Sequence, residues 1–105
     1  MSNGGANEAA SERLTQLRRR IDEIDLQILS HINERTLVVE DIGKVKREFA
    51  LPIYEPKRED DVYRNVTVNN PGPLPSDAVR RIFERIIDEM RTVQRNRMTA
   101  QRNKD

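Results

Sequence analysis

The feature that most constrains this chain is one apolar stripe that runs through its first half. Apolar residues recur every three or four positions from Leu14 to Phe49, which is the spacing of one face of a long α-helix. A helix over that range is about 50 Å long, more than the width of a compact domain of 105 residues. One chain cannot bury the whole stripe, so the sequence predicts an intertwined oligomer.

Cations lie in and beside this stripe: Arg35 falls on it, and Arg18 and Lys46 lie one residue away. A buried guanidinium needs a partner, so the pattern indicates an anion site. Arg35 and Lys46 point the same way, whereas Arg18 lies about 25 Å from Arg35 along the helix and must reach a shared site from another copy. Two alternatives stay open. One alternative to the anion site is that Arg18 and Lys46 are solvated charges. The other is that Arg35 pairs with Glu34 or Asp41 of a second copy.

Composition excludes several classes of function. The net charge is +1, which gives no strong field for nucleic acid or for a membrane surface. There is no cysteine and a single histidine, His31, so thiolate chemistry and multi-histidine metal sites are excluded. No stretch has the length of a transmembrane helix and no secretion signal is recognisable, so a cytoplasmic location is expected.

The chain is predicted to be all-α, with three helices that are long, short and long. The first begins at Ser11 and is stopped by Pro52, the second runs from Pro56 to about Val68, and Ser76 caps the third. The predicted segments are a disordered tail at residues 1–11, a helical domain at 12–98 and a polar tail at 99–105.

Further polar residues are candidates for a site. Arg58 and Glu59 open the second helix, and Gln94 interrupts the apolar face of the third. Each also has an ordinary structural interpretation: a solvated charge cluster for the first two, and a hydrogen-bonded core residue for Gln94. His31, on the stripe, fits a packed interface histidine better than a catalytic base.

Taken together, these residues resemble the AroQ-class chorismate mutases over about Leu14 to Arg95. The pieces that carry the resemblance are, in order, Leu17-Arg18-x-x-Ile21-Asp22-x-x-Asp25, Asn33-Glu34-Arg35, Ile42-Gly43-Lys44-x-Lys46, Arg58-Glu59, and Ile82-Phe83-x-x-Ile86-Ile87 followed by Gln94. The resemblance implies an all-α homodimer with two sites, each of which takes an arginine from the other subunit.

The resemblance also implies a reaction, the [3,3]-sigmatropic rearrangement of chorismate to prephenate, with no cofactor. Arg18 of the partner chain and Arg35 would hold the two substrate carboxylates. Lys46 and Gln94 would hydrogen-bond the ether oxygen, where negative charge grows as the C–O bond breaks.

The resemblance assigns Glu59 to the ring hydroxyl, with the backbone near Arg58 assisting. Two positions depart from the family pattern. Glu55 stands where Asp is common, and Met90 stands where a small or hydroxyl residue commonly lines the site. Met90 removes a carboxylate contact and adds bulk, which predicts weaker catalysis or dependence on a partner, such as an enzyme of the shikimate pathway.

Two other functions compete with this one. Isochorismate pyruvate lyase shares the fold and much of the site, and the match at Lys46, Glu59 and Gln94 favours the mutase. A helical adaptor or a small DNA-binding dimer is the alternative from another class. Near-neutral charge weighs against DNA, and an adaptor leaves Arg35 in the apolar stripe unexplained.

Overall fold

The computed structural model describes the backbone of residues 4–104 and the side chains of residues 4–97. Within that part of the chain the secondary structure consists of three helices and no strand: α1 at Gly4–Glu48, α2 at Pro56–Val68 and α3 at Ser76–Lys104. The prediction of an all-α chain with a long, a short and a long helix is confirmed. No helix in the described ranges is both long and apolar enough to cross a membrane.

Helix α1 starts earlier than the sequence predicts. Residues 4–11, expected as a disordered tail, are helical, and the predicted cap Ser11 lies inside the helix, where its carbonyl accepts a bond from Thr15 Oγ1 at 2.9 Å. Ala6, Ala9 and Ala10 explain the extension, because alanine is the best helix former and adding a residue to an existing helix costs no new nucleation. Likewise α3 continues into the predicted polar tail, to Lys104. Residues 1–3 of the predicted N-terminal tail and residue 105 of the C-terminal one lie outside the described residues.

The chain divides into two compact units, residues 1–35 and residues 36–105. The N-terminal unit, as far as it is described, is a stretch of α1 in which every residue from 4 to 31 is exposed. The apolar stripe is exposed with the rest: Leu14 is 48%, Ile21 55% and Ile28 50% accessible. A single chain therefore leaves the N-terminal part of the stripe uncovered.

The C-terminal unit holds the last part of α1 together with α2 and α3. Among the residues whose side chains are described, its buried apolar residues are Val79, Ile87 and Met90, all three on α3. Helix α2 packs on α3. Lys46 is the charged residue that this unit buries among its described side chains.

The C-terminus of α1 ends in a Schellman motif, which reverses the chain. The Leu51 N–H donates to the Lys46 carbonyl at 2.7 Å, and the Ala50 N–H donates to the Arg47 carbonyl at 3.3 Å. Ala50 takes the left-handed conformation that this motif requires, with φ of 53°. Pro52 follows and prevents any continuation of the helix. The motif thus returns residues 53–55 towards the last turns of α1.

Replacing Ala50 with glycine should stabilise the fold. Left-handed backbone costs a residue with a Cβ about 1–2 kcal/mol, whereas glycine adopts it without strain and loses only part of that gain through its more flexible unfolded state. We expect Ala50→Gly to raise the free energy of unfolding by about 0.5–1 kcal/mol in urea denaturation. Ala10→Gly, inside α1, is the control and should lower it. Equal losses in both variants would contradict this description of the turn.

Candidate active site

Lys46 is a buried cation in the C-terminal unit, and polar groups of the following segment contact it. It is only 8% exposed. Its Nζ donates to the Ile53 carbonyl at 3.0 Å and pairs with Glu55 Oε1 at 2.7 Å. A lysine ammonium has three N–H donors, so these two contacts fix its direction and leave one donor for a ligand.

Both partners of Lys46 are placed by the turn that ends α1. Glu55 is the N-cap residue of α2, and its side chain makes no capping hydrogen bond. Its carboxylate is therefore available to Lys46, and it lies at the helix end where a negative charge is favourable. Pro56 then opens α2 with its backbone already in the helical range.

Gln94 packs against α1 at Val39 and Gly43. Its Nε2 donates to the Val39 carbonyl at 3.3 Å. A Cβ on Gly43 would stand 3.8 Å from the Gln94 Cγ, which is an ordinary van der Waals contact. Gly43 and Lys46 are both buried and are separated along α1 by about 4.5 Å. The bond to Val39 uses one N–H of the Gln94 amide and leaves the second for another acceptor.

Glu59 lies one turn into α2, where its backbone N–H donates to the Glu55 carbonyl at 3.1 Å. Its Oε2 accepts a short hydrogen bond from Nη2 of Arg91 on α3. The side chains of Glu59 and Arg91 are 20% and 21% exposed. The hydrogen bond to Glu59 raises the pKa of Arg91, against the opposing effect of burial. The pair is therefore an ionic link between α2 and α3.

The remaining predicted residues of this unit differ in burial. Met90 is buried, and its sulfur accepts a contact from Thr36 Oγ1 at 3.4 Å. Arg58 is exposed on α2. Met90 thus has a packing role in the unit, whereas Arg58 has none.

Arg18 and Arg35 belong to the N-terminal unit. Arg18 is exposed and Arg35 is half-buried. The two lie seventeen residues apart on α1, about 25 Å along its axis, so one helix does not bring them together. His31, on the same stretch, is exposed beside Glu34 at 3.4 Å.

The sequence-based prediction missed Arg91 and the Ile53 carbonyl. Arg91 has a signal in the sequence: it lies four residues after the buried Ile87 and three before Gln94, hence on the same face of α3. The Ile53 carbonyl has none, because its position depends on the backbone conformation of the preceding turn.

The fold and the site together define a small helical protein with a cluster of fixed cations, carboxylates and amide donors. The chain belongs to the chorismate mutase type II family, whose sequence model matches residues 17–95.

Named relatives agree with this assignment. A bifunctional chorismate mutase/prephenate dehydratase from Neisseria gonorrhoeae is 37% identical over 89 residues, which is 85% of this chain and 24% of the relative. The chain thus spans about a quarter of that bifunctional protein. A chorismate mutase from Methanocaldococcus jannaschii is 28% identical, over 90% of this chain and 96% of the relative.

A solved structure agrees as well. The chorismate mutase of Thermus thermophilus (form II) superimposes with a TM-score of 0.77 at 34% identity. The match covers 79% of this chain and 94% of the Thermus chain.

Proposed function

We propose that this chain is a chorismate mutase that converts chorismate to prephenate. The observation that carries the proposal is the buried Lys46, held by Glu55 and the Ile53 carbonyl with one donor left over, on the helix whose Val39 carbonyl accepts from Gln94. A donor fixed in advance is what a reaction needs when negative charge grows on a single oxygen.

In the proposed reaction the C–O bond of the enol ether breaks as a new C–C bond forms within the same molecule. No proton, electron or group is exchanged with the protein. The site acts by holding a flexible dianion in its reactive conformation and by meeting the charge that develops on the ether oxygen. Together these two effects would have to lower the activation free energy by about 8 kcal/mol, which is at the low end of enzymatic acceleration.

Lys46 and Gln94 serve the ether oxygen in this mechanism. Glu59 accepts from the ring hydroxyl, with the backbone near Arg58 beside it. Arg35 binds one substrate carboxylate, and Arg18 of a second copy binds the other through bidentate pairing. The exposed stripe of the N-terminal unit supports a homodimer, because a second copy can cover it and deliver Arg18 at the same time. Within the same proposal the enzyme is cytoplasmic, and a shikimate-pathway enzyme is a further partner.

Incubation with chorismate and, separately, with isochorismate tests the proposed function. The mutase produces prephenate from chorismate and releases no pyruvate, whereas a lyase releases pyruvate from isochorismate. Pyruvate as the main product would replace the proposal with the lyase. Consumption of neither substrate, with or without an added pathway enzyme, would refute both.

Gln94→Glu should make the activity depend on pH. Glutamine donates a hydrogen bond at any pH, so the wild-type protein should change little between about pH 5 and 8, where its carboxylates remain ionised. A glutamate at this position donates only when protonated, and its ionised form would repel both the ether oxygen and the Val39 carbonyl. The variant should therefore be least active at neutral pH and recover on acidification, measured as turnover at several pH values.

Gln94→Met is the matched control, because it keeps the length of the side chain and donates at no pH. Its turnover should be low and flat across the same range. A Gln94→Glu protein that works equally well at neutral and acidic pH would show that Gln94 does not contact the reacting oxygen.

A further inference from the structure

The guanidinium of Arg91 contacts Glu59 and two further side chains. Its Nη2 donates to Glu59 Oε2, and its Nη1 lies 3.4 Å from Asp88 Oδ1. Its guanidinium lies over the Tyr54 ring, 5.3 Å from the centroid. A guanidinium fixed in this way fixes the position of the carboxylate oxygen that it binds. One oxygen of Glu59 is engaged by Arg91, and Oε1 is left to accept a hydrogen bond from a ligand.

We propose that Arg91 is a positioning residue that orients the Glu59 carboxylate, so that Glu59 can accept the ring hydroxyl of the substrate. This inference rests on the proposed function for the role of Glu59. The link itself, between Arg91 and Glu59, is a property of the folded chain and can be tested without any substrate.

Charged groups of both signs lie near Tyr63, on the turn of α2 that follows Glu59. Tyr63 lies one turn later on α2, and burial raises the pKa of Tyr63, with the negative charges of Glu59 and Glu84 adding to the effect. Asp88 on α3 contributes a further negative charge. Arg91 is the cation that directly contacts Glu59, whereas Arg80 lies over the Tyr63 ring at 4.4 Å.

The first test follows the protonation of Glu59 by NMR in protein labelled with ¹³C-glutamate. Its carboxyl resonance is identified by its loss in Glu59→Gln. An opposite charge favours the ionised carboxylate, so in Arg91→Met the Glu59 carboxyl should take up its proton at a higher pH than in the wild-type protein. Arg91→Lys, which keeps the charge, should move back towards wild type.

Arg80→Met is the structural control, because it also removes a contact between an α3 arginine and α2 but leaves Glu59 paired. Its Glu59 titration should match the wild-type curve. If Arg91→Met and wild type titrate together, or if Arg80→Met shifts the curve equally, Arg91 is only a packing contact between the helices and the proposal is wrong.

The second test measures chorismate turnover in the same proteins. Displacing a group that orients substrate costs up to about 10²-fold, and we expect a loss of that order in Arg91→Met, deepest at acidic pH. In a Glu59→Gln background Arg91→Met should cause no further loss, because its effect passes through Glu59. Full additivity of the two losses would overturn the proposal. A wild-type protein without turnover would instead refute the proposed function, and the NMR titration would still decide the role of Arg91.

Discussion

Lys46→Ala should lower the turnover of chorismate by about 10²–10³-fold, the largest single-residue effect we expect. Removal of one fixed donor to a developing oxyanion typically has that cost. The Lys46 side chain is suited to this role because Glu55 and the Ile53 carbonyl hold its Nζ in place before substrate arrives. The expected change is therefore in turnover, measured under saturating chorismate.

The fold should survive the substitution. Glu55 is 48% exposed and can be hydrated once its partner is lost. The Ile53 carbonyl loses one hydrogen bond, which costs about 1 kcal/mol. Lys44→Ala is the matched control, because Lys44 is an exposed lysine two residues earlier whose nearest carboxylate, Asp41, is 3.7 Å away. Lys44→Ala should keep wild-type turnover. Near-normal turnover in Lys46→Ala would show that Lys46 is a structural cation and does not act on the substrate.

The positions at which α1 stops and α2 and α3 begin could be predicted because local residues determine them. Pro52 stops α1, Pro56 opens α2, and α3 begins at the predicted Ser76. The start of α1 could not be predicted in the same way. Its first residues are small and polar, which is typical of a disordered tail, but the alanines among them favour extension of a helix that already exists downstream.

The candidate site was predictable where it follows helical periodicity. Lys46 and Gln94 stand beside or on apolar stripes, and the structure buries Lys46 and packs Gln94 against Val39 and Gly43 of the same helix. The groups that hold the site residues in place could not be predicted from helical periodicity. The pairing of Arg91 with Glu59 depends on how α2 packs on α3. The contact of Lys46 with Ile53 depends on a positive φ at Ala50, and an alanine in the sequence gives no indication of that conformation.

The second large effect concerns the sharing of a site between two copies. Arg18→Ala and Arg35→Ala should each abolish most of the activity when present in every subunit, because each removes a carboxylate partner from both sites. A heterodimer with one lesion in each chain should behave differently. Both lesions then fall in the same site, the other site stays intact, and about half of the wild-type turnover per dimer should return.

The measurement that tests the account most directly compares this heterodimer with one in which both lesions lie in a single chain. Each is co-expressed with two affinity tags and purified as a mixed dimer. Shared sites predict about half of wild-type turnover when the lesions are in different chains, and almost none when Arg18→Ala and Arg35→Ala are in one chain beside a wild-type partner. The opposite pattern, with activity only in the second heterodimer, would show that each site takes both arginines from one chain and would contradict the account.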